Sequence, residues 1–94
     1  MSNYNITNYS YDKAKQLNLI IKQSKNKNKK IDVYTINNIF LHSIGDIKYN
    51  DYPSYLSTYN KQYADERRRL YHIRHQKNIN VIKSKQFLSA NLLW

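Results

Sequence analysis

The sequence predicts an α+β fold: a short three-stranded antiparallel sheet, then a basic helix and a docked C-terminal segment. Three observations predict it. Two β-rich runs, IDVYTI (31–36) and IFLHSI (39–44), are separated only by Asn37-Asn38. The stretch ADERRRLYHIRHQKN (64–78) opens on two acids and then gathers four arginines, two histidines and a lysine. The last residues are the apolar Leu92-Leu93-Trp94.

Taken in order, residues 1–16 are polar, carry Tyr4, Tyr9 and Tyr11, and show neither a helical nor a strand period. They read as a flexible N-terminal arm, and residues 17–94 as one small α+β domain. Leu17, Leu19 and Ile21 fall on one side of a strand over 17–23. That strand is cut off by SKNKNKK and predicted to pair with 31–36. Asn tolerates positive φ, so Asn37-Asn38 reads as a two-residue hairpin loop. The loop sets Ile31 opposite Ile44, Asp32 opposite Ser43, Val33 opposite His42, Tyr34 opposite Leu41, Thr35 opposite Phe40 and Ile36 opposite Ile39. The face bearing Ile31, Val33, Phe40 and Ile44 is the more apolar and is expected to meet the core; a slip of one residue would exchange the two faces.

Gly45-Asp46 is expected to end the hairpin at a positive-φ glycine. Residues 47–63 hold five tyrosines and the only proline. Pro53 biases Tyr52 away from helix, so this segment reads as a connection. The helix is predicted over about 65–78, with Asp65 as its cap and Glu66 in its first turn. Tyr63, Arg67, Leu70, Ile73 or Arg74, and Lys77 form its narrow packing stripe. Phe87, Leu88, Leu92, Leu93 and Trp94 have helix-compatible spacing. Trp94, able to bury about 150–250 Å², is expected to dock against the sheet.

Composition limits what the chain can do. At 94 residues it builds a small core. With no cysteine, disulfides, iron–sulfur clusters and thiolate zinc are excluded, and a small secreted protein is disfavoured. The first residues have neither the basic nor the apolar region of a signal peptide, and no apolar run approaches a membrane span. The expectation is therefore a protein that is not secreted and has no membrane partner.

Sixteen Lys and Arg against six Asp and Glu give a formal charge of +10, which directs attention to polyanions first. Asn, Ile, Lys and Tyr are all encoded by A- and T-rich codons, so lysine weighs less than arginine as a sign of selection for binding. The guanidinium fork also matches phosphate geometry. Residues 13–30 carry seven lysines and no acid. The residues expected to contact nucleic acid are Arg67, Arg68, Arg69, His72 and Lys77 on the helix, with Lys25, Lys27, Lys29 and Lys30 in the loop after the first strand. Such cations neutralise phosphates, and interleaved tyrosines can stack on exposed bases.

Enzyme chemistry lacks its parts. The six acids are scattered, which disfavours paired-carboxylate and two-metal mechanisms. The lone Gly45 excludes a glycine-rich phosphate loop. His72 and His75 share a helix face but lack a third metal ligand, and the neighbouring arginines repel a cation. No catalytic residue, metal or cofactor is expected.

Asp32-Val33-Tyr34, His42 and Gly45, Asp51-Tyr52, Asp65-Glu66-Arg67-Arg68, Tyr71, Arg74-His75 and Leu93-Trp94 together resemble a small family of unknown function from giant double-stranded DNA viruses of algae and amoebae. The resemblance covers roughly residues 30–94. The chain departs from it at His42-Ser43-Ile44-Gly45, one residue longer than expected, and at Gln86-Phe87-Leu88-Ser89. It implies a viral origin and a structural role for Tyr71, Arg74, His75 and Trp94, with Arg74 and His75 bonding the Trp94 carboxylate or backbone carbonyls. The expected function is a nonenzymatic, virus-encoded protein that binds nucleic acid, with DNA expected ahead of RNA as the partner, without base specificity. It would act in the virion or the infected cell interior. The alternative is a minor capsid or virion structural protein whose partners are other shell proteins.

Overall fold

The computed structural model describes residues 2–76, 79, 81 and 84–94. Among them the elements run α1 (Asn8–Gln16), β1 (Leu19–Gln23), β2 (Lys29–Thr35), β3 (Phe40–Asp46), α2 (Tyr52–Thr58), α3 (Lys61–Arg74) and α4 (Lys85–Leu92). The strands form one antiparallel sheet in the order β1-β2-β3, so the fold is α+β. Where the sequence predicts a single domain from residue 17, the chain forms two compact units, one ending at Tyr49 and one beginning at Asn50.

In the first unit the hairpin loop differs from the expectation and its core register does not. Asn38 takes φ 70°, Asn38 N–H donates to Thr35 O at 2.8 Å, and Thr35 N–H donates to Ile39 O at 2.8 Å. The loop is therefore three residues, Ile36-Asn37-Asn38, with its left-handed residue at the end. Tyr34 pairs with Phe40 rather than Leu41, and a register shift between Val33 and Tyr34 leaves Leu41 as the extra residue. Beyond this bulge Val33 pairs with His42, Asp32 with Ser43 and Ile31 with Ile44, as the two-residue loop predicted. Ile31, Val33 and Ile44 are fully buried, with Ile21 beside Val33 on β1. Phe40, expected on that face, is turned to the other, where its ring meets Tyr34 edge-on at 5.6 Å. Gly45 has φ 77°, but β3 continues through it, and Asp46 pairs with Lys29.

The segment expected to be a loose arm carries α1. The Thr7 hydroxyl caps it by accepting from Ser10 N–H at 3.3 Å, and Ser10 and Ala14 bury one face. Lys13 and Lys15 sit in the last turn, where positive charge suits the helix dipole. The helix ends as Asn18 turns to φ 56°, a conformation asparagine accepts at little cost. The residues before α1 are held too: Ser2 N–H donates to Ser24 O at 2.8 Å, and Gln23 Nε2 to Tyr4 O at 3.2 Å.

The second unit is helical. The tyrosine-rich connection contains α2, because Asp51 caps it and Pro53 falls in the first turn, where no N–H is needed. Asp51 Oδ1 accepts from Ser54 N–H at 3.0 Å and from Ser54 Oγ at 2.7 Å. Helix α3 begins four residues before the predicted start. Its cap is Asn60, whose Oδ1 accepts from Tyr63 N–H at 2.8 Å, so Asp65 and Glu66 lie in the second turn. Its inward face also differs from the predicted stripe. Ala64 is fully buried and Arg67, Arg68 and Tyr71 are partly buried, whereas Tyr63 and Ile73 are exposed. Ser84 caps α4, whose Leu88 and Leu92 are fully buried, with Leu93 next to them in sequence. Tyr52 N–H donates to Leu93 O at 3.0 Å, tying the start of α2 to the end of α4. Asn60→Ala should cost about 1 kcal/mol through loss of the α3 cap, read from the denaturation midpoint.

Candidate nucleic-acid interface

The loop between β1 and β2 presents lysines on a frame built by one carboxylate. Asp32 is 3% exposed on β2. Its Oδ1 accepts from Ser24 Oγ at 2.6 Å and from Ser43 Oγ, and its Oδ2 accepts from Lys25 N–H at 3.1 Å. Ser24 Oγ in turn accepts from Asn26 N–H at 3.1 Å, and Asn26 Oδ1 from Asn28 N–H at 2.9 Å. Burial alone pushes the Asp32 carboxyl up. The hydrogen bonds from Ser24, Ser43 and Lys25, with the nearby Lys25 charge, outweigh it and hold the group below the usual carboxylate range. The backbone is thus pinned while the Lys25 and Lys27 side chains stay exposed.

Two lysines assigned to this loop lie in β2 instead. Lys29 is partly buried, opposite Asp46. Lys30 is 3% exposed; its ammonium donates to Tyr49 O at 2.6 Å and lies 5.2 Å from the Tyr4 ring centre. A cation tied to a carbonyl and an aromatic face is an anchor for its own unit, so Lys30 leaves the set of surface contacts.

On α3 the three consecutive arginines do not form one cluster. Successive residues are about 100° apart around a helix, so neighbours diverge. Arg67 lies over Tyr55 at 5.6 Å, and Arg68 lies over Tyr52 at 3.6 Å, with a terminal nitrogen 3.9 Å from Asp65 Oδ1. The Nε atoms of both are buried without a hydrogen-bond partner among the described residues. Arg69 is exposed and doubly bonded to Glu66. The bond from Arg69 lowers the Glu66 carboxyl and raises the guanidinium. Asp65 accepts from Lys61 Nζ at 2.6 Å and from the Tyr52 hydroxyl at 2.7 Å, which together hold its carboxyl below the usual range. Burial, then the bond to Asp65, pushes the Tyr52 hydroxyl up. A shallow groove of about 570 Å³ follows this side of α3, lined by Lys61, Asp65, Arg68, Arg69, His72 and Gln76 among others. His72 is exposed on it, and Lys77 lies outside the described residues.

The residues assigned a structural role lie mostly in an aromatic assembly. Tyr71 stacks on Trp94 at 4.5 Å with planes 11° apart, and meets the His75 ring at 4.3 Å. Trp94, expected against the sheet, also has Tyr55 at 6.0 Å as a ring partner. Arg74 is exposed. Burial raises the Tyr71 hydroxyl, with Ser89 and Arg74 opposing.

Sequence reasoning missed how far this assembly extends. Tyr55 meets Tyr63 at 5.6 Å and Tyr59 at 6.1 Å, and Tyr59 meets Tyr63 at 4.6 Å. The signal was present as a four-residue period: Tyr55, Tyr59, Tyr63, Arg67, Tyr71, His75. Side chains four apart on one helix are neighbours on one face, which holds for Tyr63, Arg67 and Tyr71 within α3, while Tyr55 lies on α2 and Tyr59 follows it. The period was hidden by reading residues 47–63 as a connection.

Among the described residues no group of three or more His, Asp or Glu side chains could hold a metal ion, and no helix is long and apolar enough to cross a membrane. Comparison of the chain with protein-family models, with curated proteins and with solved structures finds no match.

Proposed function

We propose that this is a nonenzymatic, virus-encoded protein that binds nucleic acid, DNA being the first partner to test, through the phosphate backbone and without base specificity. It would work inside the virion or the infected cell. The observation that carries this reading is how the two signs of charge are used. Each unit holds eight of the sixteen Lys and Arg and three of the six acids. Asp32 and Asp51 are buried under hydrogen bonds, and Asp65 and Glu66 are paired with cations. Asp46 accepts from Lys48 N–H in its own turn. Most of the acids are engaged within the chain; Asp12 and Glu66 are exposed, and among the described residues exposed Lys and Arg outnumber them. That disposition attracts a polyanion and releases its counterions on contact.

The test is a titration of generic duplex DNA across a salt series, with Lys25/Lys27/Lys29→Gln alongside. The logarithm of the affinity should fall linearly with log salt, by about 0.9 per phosphate neutralised. The variant should lower that slope by about one for each lysine that contacts a phosphate. Affinity indifferent to salt would sink the reading.

One observation favours the alternative, a minor capsid or virion structural protein. Ile36, Ile39 and Phe40 stand exposed together at the β2–β3 tip, an apolar patch suited to another shell protein. Finding the protein in the shell rather than with the genome would favour it.

A further inference from the structure

We infer that the ring row of the second unit is a stacking platform for single-stranded nucleic acid. The inference deepens the nucleic-acid reading and rests on it, by assigning the kind of strand and the residues that would hold its bases. Tyr59 is 57% exposed and Tyr63 42%, an unusual amount of open aromatic surface for two rings only 4.6 Å apart. They are not isolated. Tyr55 backs both, Trp94 backs Tyr55, and Tyr71 and His75 continue from Trp94.

Exposure of the ring faces selects the strand. Tyr59 follows α2 and Tyr63 lies in the first turn of α3, so their open rings adjoin at the junction of the two helices. A duplex hides its base faces inside the stack. Only an unstacked strand can lay bases on these rings, and ring–base stacking accepts any base.

Charge selects a nucleic acid over a protein partner. Arg67 stands in the same row, between Tyr63 and Tyr71 in the period, with its guanidinium over Tyr55. The acids on this side of the unit, Asp65 and Glu66, are already matched by Lys61, Arg68 and Arg69. Phosphates following the rings would meet a cation and no unmatched carboxylate among these residues. An acidic protein would be drawn by the same charge, but its scattered aromatic side chains offer less planar surface than a strand that carries a base at every residue.

Trp94 is the only tryptophan of the chain and lies inside the array, so its emission reports on the platform. The full chain is titrated with oligothymidylate and with duplex DNA of equal length, at one low salt concentration. The variants Tyr59→Ala, Tyr63→Ala and their Phe counterparts are compared, with circular dichroism to verify folding. Oligothymidylate should quench Trp94 and bind more tightly than the duplex. Each Ala change should weaken single-strand binding by roughly tenfold or more while leaving duplex binding in place, and each Phe change should restore it.

Equal loss for both nucleic acids, or no loss for either, would overturn the platform and leave the backbone-binding reading standing. Absence of binding to any nucleic acid would remove both. If an Ala variant fails to fold, Tyr59→Phe beside Tyr59→Leu decides. A platform keeps single-strand preference with Phe and loses it with Leu; retention with Leu overturns it.

Discussion

Asp32→Ala is expected to destabilise the sheet unit by about 3 kcal/mol, since hydrogen bonds to charged groups are each worth about 1.5–3 kcal/mol and hydroxyls can recover part of the loss by rotating. Against a whole-domain stability of about 5–15 kcal/mol this is a large fraction. The carboxylate receives Ser24, Ser43 and the Lys25 amide, so its removal strands three donors at the base of the lysine loop. Asp32→Asn separates charge from shape. It can still accept at one atom, but its amide would face either a hydroxyl hydrogen or the Lys25 N–H.

The sign of the pH dependence follows from the lowered pKa in the folded state. The unfolded carboxyl titrates near 3.9. Above that value the charged group contributes its full stabilisation, and the contribution is lost as pH falls through the lower folded value. Denaturation midpoints of the wild type and Asp32→Asn, followed from neutral pH downward, should therefore converge in acid. A gap that stays constant down to pH values well below about 3.9 would contradict the assignment. Because the same carboxylate pins the Lys25 amide, the nucleic-acid function proposed above implies that both variants would also bind DNA more weakly.

Leu88→Ala is the second large effect, at about 2–5 kcal/mol, the range for truncating a leucine in a packed interior. Leu88 is fully buried on α4. Its natural control is Ile73→Ala, 52% exposed on α3, which should stay within about 0.5 kcal/mol. Trp94 emission during chemical denaturation follows both, since its stacking partner Tyr71 belongs to the same unit. Matching midpoints for the two variants would contradict the burial of Leu88.

Much of the sheet was legible because its signals are local. The alternation of Ile31 and Val33 marks the core face, and the pairs expected from a two-residue loop hold below the bulge even though the loop itself has three residues. What escaped were polar signals. Thr7 and Asn18 bracket α1 as cap and left-handed stop, yet they sit in a segment whose composition suggests an arm. Asp51 with Pro53 opens a helix that the proline, read alone, argued against. Asn60 displaced Asp65 as the α3 cap because the helix starts a turn earlier, which frees Asp65 to bind Lys61 and Tyr52. The candidate surface was legible as composition and much less as arrangement. Lys30 and Lys25 look alike in the sequence, but one is buried against Tyr49 O and the other exposed. Three adjacent arginines look like one cluster until helical rotation separates them.

The extra residue in the β2–β3 loop and the bulge at Leu41 have opposite effects on register, and together they cancel. In genetic terms they behave like a frameshift and its suppressor. A residue gained at the tip is absorbed a pair or two down the ladder, so the inheritance of Ile31, Val33 and Ile44 as core positions does not depend on the length of the turn. The eight residues between Val33 and His42 thus trade one pair at the tip for a longer loop and a bulge, and the core pairs beyond them stay where they are.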